Sequence, residues 1–138
     1  MVDIESSVID RVVMAFLEKY PNGSYSGEEI TAAPTKWPHL NIIEYDNYDT
    51  DYARLESSTV VYDVNVYSNK TSGAKQECRA VLNLVDDAMR TFGKWNRLYA
   101  RQTKNADSRI YRMSARYRGV AVLESETDGN LLYRIYEQ

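Results

Sequence analysis

The sequence predicts an α+β fold, an antiparallel β-sheet backed by two helices in the order α-β-β-α-β-β-β. Two observations predict it. Two segments repeat their apolar residues at helical spacing, and the segments between and after them alternate apolar with polar residues. A chain of 138 residues can bury one core but not two, so residues 1–138 are expected to form a single domain.

The first helix is expected from about Ile4 to Tyr20. Ile4, Val8, Ile9, Val12, Val13, Phe16, Leu17 and Tyr20 make its apolar stripe, Asp3 is a candidate N-cap, and Pro21-Asn22-Gly23 is a stop. A loop-rich passage from Pro21 to Pro38 follows, with room for a short strand or a single turn. His39–Tyr45 then reads as a strand, and Asp46–Ser57 as a long polar connection. Thr59–Tyr67 is the clearest strand, with Val60, Tyr62, Val64 and Val66 on one face. These two strands are expected to form a hairpin with a projecting arm.

Ser68–Gly73 breaks the strand and offers Thr71 or Ser72 as a cap. The second helix is expected over Ala74–Phe92, with Cys78, Val81, Leu82, Val85, Ala88, Met89 and Phe92 on its apolar stripe and Gly93 at C′. Trp95–Gln102, Arg109–Leu123 and Leu131–Tyr136 read as strands, the last two joined by a tight turn at Asp128-Gly129.

Composition narrows the function. The net charge of −3 argues against a protein whose main work is gripping nucleic-acid phosphates. The N-terminus lacks the basic and apolar regions of a signal peptide, and no stretch reaches membrane-spanning length, so a cytosol-made protein without a membrane partner is expected. The sequons at Asn22 and Asn69 then read as coincidence. With one cysteine, Cys78, no intrachain disulfide and no cysteine-based zinc site can form.

Catalytic and cofactor motifs are missing. His39 is the single histidine and reads as a surface residue at a strand start rather than as a base or ligand. Cys78, on an apolar stripe, reads as a small buried hydrophobe. The run Asp46, Asp49, Asp51, Glu56 does not fit a calcium loop: counted from Asp46, the glycine position is Asp51 and the glutamate position Ser57. The glycines are dispersed and make no phosphate loop. No enzyme activity, cofactor or metal is therefore expected.

Contact surfaces are the better-supported feature. Twelve tyrosines suit protein contacts, although they also suit ordinary strands. Arg112, Arg116 and Arg118 share a strand face, which could be merely solvated, could pair with acidic groups of another protein, or could read nucleic acid. Protein–protein ion pairing is preferred to nucleic acid because the chain is acidic overall.

Particular strings resemble a family. They are Tyr20-Pro21, Trp37-Pro38, Asp46-Asn47, Val64-Asn65-Val66-Tyr67-Ser68-Asn69-Lys70, Lys75-Gln76-Glu77-Cys78 and Ile110-Tyr111-Arg112-Met113-Ser114-Ala115-Arg116-Tyr117. With the order of elements they resemble the small proteins of the head–tail gene cluster of tailed phages and prophages, most of all the tail terminator (tail completion) proteins. That resemblance implies a ring, typically a hexamer, which caps the tail tube at the head-proximal end of the virion tail. Its implied partners are copies of itself, the tail tube protein and the head connector proteins. A head–tail connector or minor capsid subunit, or a free-standing module binding protein or peptide, are the alternatives. The expected subunit interface sets Asp46, Tyr48, Asp49, Asp51 and Tyr52 of the arm against Arg112, Arg116 and Arg118 of the next copy.

Overall fold

The computed structural model of the chain describes residues 2–28, 34–52, 55–105, 107–127 and 130–136, with side chains at all of these except 51, 52, 55, 124–127, 130–134 and 136. The elements are α1 (Glu5–Lys19), β1 (Ser24–Ser26), β2 (His39–Tyr52), β3 (Leu55–Ser68), α2 (Ala74–Phe92), β4 (Asn96–Gln102), β5 (Tyr111–Thr127) and β6 (Asn130–Tyr136). The α+β class is as expected. The sheet runs β1-β2-β3-β5-β4, with β6 also on β5. β5 is long enough to carry two strands in succession along the edge away from β3, β4 at residues 113–118 and β6 at residues 120–127.

Both helices cover one face of this sheet. Val60, Tyr62, Val64 and Val66 of β3 are fully buried there, beside Leu40 and Ile42 of β2 and Ala115 and Tyr117 of β5. Val8, Val12 and Phe16 of α1 and Cys78, Val81, Val85 and Met89 of α2 complete the core. Each buried Val, Leu, Ile, Phe or Met side chain among them contributes about 1.5–3 kcal/mol relative to exposure. Trp95 sits edge-on to Tyr62, with ring centroids 5.6 Å apart at 89°, a favoured aromatic geometry.

Five expectations are corrected. A further strand, β1, pairs in parallel with residues 39–41 of β2, so the sheet is mixed and the order gains one strand. Residues 46–52 are not a loop; they continue β2 and pair with residues 55–61 of β3. Alternation breaks there because of a β-bulge between Glu44 and Asp46, where an extra residue resets which side chains share a face. The helix caps also differ. Ile4 holds the N-cap position of α1, with the Glu5 N–H directed at Asp3 Oδ1 at 3.4 Å. Gly73 rather than Thr71 or Ser72 holds that of α2, at φ 85°, a left-handed conformation that glycine adopts without the Cβ penalty. Gly93 is the C-cap itself, in extended conformation, its N–H donating to the Met89 carbonyl at 3.2 Å. The turn at Asp128-Gly129 lies outside the described residues, while β5 and β6 on either side of it pair antiparallel as a hairpin requires.

Close approach, not backbone freedom, explains Gly119. A Cβ there would stand 2.7 Å from Ile135 Cγ2 and 3.0 Å from Trp95 Cε3. Gly119→Ala is expected to lower stability by about 1–3 kcal/mol through overpacking. Urea denaturation checks this, and an unchanged midpoint would show that the sheet yields there without cost.

Candidate interaction surface

The sheet face opposite the helices carries no helix among the described residues, yet it holds a chain of buried polar side chains. Its geometry follows from strand register. Ser24 lies beside His39 and Ser26 beside Asn41; Asn41 faces Asn65, and Asn65 faces Ser114. His39, Asn41, Asn65 and Ser114 are all buried, so each must find partners within the protein.

The proton count along this chain is directional. The Ser24 hydroxyl donates to the Lys36 carbonyl at 2.7 Å, so its oxygen is left to accept from His39 Nδ1, also at 2.7 Å. A neutral ring protonated at Nδ1 leaves Nε2 to accept from the Ser26 hydroxyl at 2.9 Å. Asn41 Nδ2 donates to Ser26 Oγ at 2.9 Å and to the Glu28 carbonyl at 2.8 Å. Asn65 Nδ2 is directed at Asn41 Oδ1 at 3.4 Å. Asn65 Oδ1 accepts from Ser114 Oγ at 2.6 Å and from Arg112 at 2.8 and 3.1 Å. Thr103 Oγ1 donates to Ser114 Oγ at 2.8 Å and ends the chain at the far side of the sheet.

His39 is thus buried, contrary to the surface position expected, and that burial favours its neutral form. Burial lowers its pKa from 6.5. The signal that sequence reading missed is the Ser24/Ser26 pair two residues apart, which only parallel pairing brings to the ring.

Beside this chain lies an arginine–tyrosine cluster. Arg116 makes a bidentate pair with Asp63, Nε to Oδ1 at 2.6 Å and Nη2 to Oδ2 at 2.8 Å. Its guanidinium also covers the Tyr45 ring, 4.2 Å from the centroid. Arg101 lies 4.2 Å over Tyr99, and Arg112 lies 5.5 Å over Tyr67. The Asp63 hydrogen bond raises the Arg116 pKa, so it stays fully charged. Asp63, Asn65, Tyr99, Arg101, Arg112 and Arg116 line a shallow depression of about 250 Å³.

The structure brings Arg112, Arg116 and Arg118 onto one face as expected, and it meets the charge of Arg116 and the donors of Arg112 within the chain. Arg118 Nε is buried without a hydrogen-bond partner among the described residues. The acidic arm is divided. After the bulge, Asp46 and Tyr48 stand opposite Val61 and Thr59 on the open face, whereas Asn47 and Asp49 stand opposite Val60 and Ser58 on the helix side. Asn47 there donates to the Val2 carbonyl at 2.9 Å. Tyr45 and Tyr48 are 61% and 47% exposed, an unusual outlay of aromatic surface on one strand. The side chains of Asp51 and Tyr52 lie outside the described ones.

Other features offer little chemistry. Among the described residues no cluster of His, Cys, Asp and Glu could hold a metal ion, and no helix is long and apolar enough to cross a membrane. Cys78 is buried against α2's neighbours, its thiol directed at the Val66 carbonyl at 3.6 Å. Burial pushes that thiol up to about 12.

No protein-family model and no curated protein matches the chain. Among solved structures the fold is similar to that of a chain in the virion of a native gene transfer agent particle, with a TM-score of 0.60. The match covers 83% of this chain and 91% of that chain at 12% sequence identity. At that identity the likeness is one of fold.

Two outcomes test the site. The unfolded chain protonates histidine near pH 6.5 and the folded one only below that value, so His39 makes stability fall as pH drops through 6.5. Glu44, whose pKa burial raises, acts with the opposite sign from 4.5 upward. Subtracting the behaviour of a His39→Gln variant isolates the histidine: the wild-type Tm should fall more steeply than the variant's between pH 7 and 5.5, and parallel curves would place His39 in water. Cys78 should resist thiol reagents at pH 8 in the native protein and react on unfolding; rapid native labelling would contradict its raised pKa.

Proposed function

We propose that this chain is a virion assembly protein of a tailed, phage-like particle, acting through subunit contacts rather than catalysis. The observation that carries this reading is the fold shared with a gene transfer agent virion chain over most of both molecules. The sequence strings that resemble tail terminator proteins support the finer form. In that form the chain is a ring, typically hexameric, that caps the tail tube and docks to the head connector. The open sheet face supports contact duty as well: its polar groups are held in fixed positions by one another, which leaves little side-chain freedom to lose on docking. The β2–β3 arm, with Asp46, Tyr48, Asp49, Asp51 and Tyr52, is the element proposed to reach a neighbour.

Imaging of particles from a host that makes this chain tests the reading. Cyclic density for the chain at the junction of tail tube and head connector is the expected result. Density within the connector would assign it there instead, and particles lacking the chain altogether would end the virion reading.

A further inference from the structure

Besides β1 and β6, each paired with one strand alone, β2 and β4 present a backbone edge that no described strand covers. β1 pairs with β2 at residues 39–41 alone. From Ile42 to Tyr52, then, the outer edge of β2 meets no strand among the described residues. At the opposite end of the sheet, β4 pairs with β5 along one edge and with no described strand along the other. On each edge alternate residues direct N–H and C=O groups outward, a template for a further strand.

The two edges carry opposite charge. β2 contains Glu44, Asp46, Asp49 and Asp51 and neither lysine nor arginine. The run from Lys94 to Lys104 contains Lys94, Arg97, Arg101 and Lys104 and no acidic residue. Asp46, Asp49, Arg101 and Lys104 are all exposed. Arg97 is 3.6 Å from Asp86, which leaves Arg101 and Lys104 as the groups best placed for a partner.

This segregation decides which pairings are open. Like charges set opposite each other across two strands are destabilising. Two copies meeting through the same edge, β2 on β2 or β4 on β4, would do that, so a two-fold dimer through either edge is disfavoured. Joining unlike edges does the reverse.

We propose that copies of this chain join head to tail, the basic edge of β4 in one copy adding to the acidic edge of β2 in the next. The sheet then continues from subunit to subunit. Such a contact uses two different surfaces, and it generates a ring where the rotation closes. The inference names the contact of the ring proposed above and rests on that reading. The seven residues of β4 fit within the uncovered stretch of β2, and main-chain hydrogen bonds supply the attraction while the charges select the edge.

Charge exchange tests it. Asp46→Lys with Asp49→Lys makes both edges basic, and Arg101→Glu with Lys104→Glu makes both acidic. Each protein, checked for an unchanged fold by circular dichroism, is followed by sedimentation over a concentration series at low salt. Each variant alone should associate at least about tenfold more weakly than wild type. An equimolar mixture of the two should recover association as an alternating assembly, as should one chain carrying all four changes. A wild-type cyclic oligomer indifferent to all of these changes would overturn the edge pairing and leave the ring reading intact. A wild-type chain that stays monomeric at every concentration would overturn the edge pairing, and the ring would then stand or fall on the particle images. Loss of association in both variants without recovery in the mixture would also overturn it.

Discussion

The structure depends on the register between β3 and β5. Residues 57–68 pair with 111–122, and because side chains alternate, this one alignment composes two different faces. Val60, Tyr62, Val64 and Val66 meet Gly119, Tyr117, Ala115 and Met113 under the helices. Asp63 and Asn65 meet Arg116 and Ser114 on the other side. A slip of one residue by either strand would bring charged side chains under α2 and valines into the open. Core burial and polar pairing therefore enforce the same alignment, and neither has to do so alone.

The polar side of that alignment has its own stringency. A buried donor or acceptor left unpaired costs about 1–3 kcal/mol, more than a typical hydrogen bond contributes. From Ser24 to Thr103 the chain of partners crosses β1, β2, β3 and β5, so a shift of any of these strands would orphan several groups at once. Asn65 is its centre, with one carbonyl oxygen serving Ser114 and Arg112 together. The result is a surface whose side chains hold one another in place, although it faces no helix among the described residues. Tyr45, Tyr67 and Tyr99 lie under the guanidinium groups of Arg116, Arg112 and Arg101 beside it.

What the sequence made legible follows from how many residues share a pattern. α2 repeats its apolar stripe over five turns, and its bounds and buried face match the expectation. β3 was legible through its alternating valines. The outer half of β2 was not, because the bulge at Tyr45 reverses the alternation and because a strand at a sheet edge need not be apolar on either side. β1 was hidden for the opposite reason: three residues with two serines carry no periodicity. The arginine stripe was visible as a face, while its partners within the chain were not, since Asp63 and Asn65 reach it only through a strand pairing between distant segments. Once that pairing is granted, the match of Asp63 and Asn65 with Arg116 and Ser114 follows from their equal spacing.

Charge is used differently on the face and on the edges, and the contrast bears on assembly. On the face, Arg116 is answered by Asp63 and Arg112 by Asn65, so the face attracts little by long-range field. On the edges, acids gather along β2 and bases around β4. Edge strands left uncovered are a hazard that charge and bulges normally restrain, and both devices are present: β2 is bulged at Tyr45 and β4 between Arg97 and Tyr99. Restraint of this kind would be met equally well by one sign of charge on both edges. Opposite signs do something more, since they keep each edge from its own copy and leave it open to the other. Exposed charges act over about 8 Å at physiological ionic strength, which is short beside the width of the sheet. The two edges of one molecule are therefore nearly independent, and a copy bound at one remains ready to bind at the other.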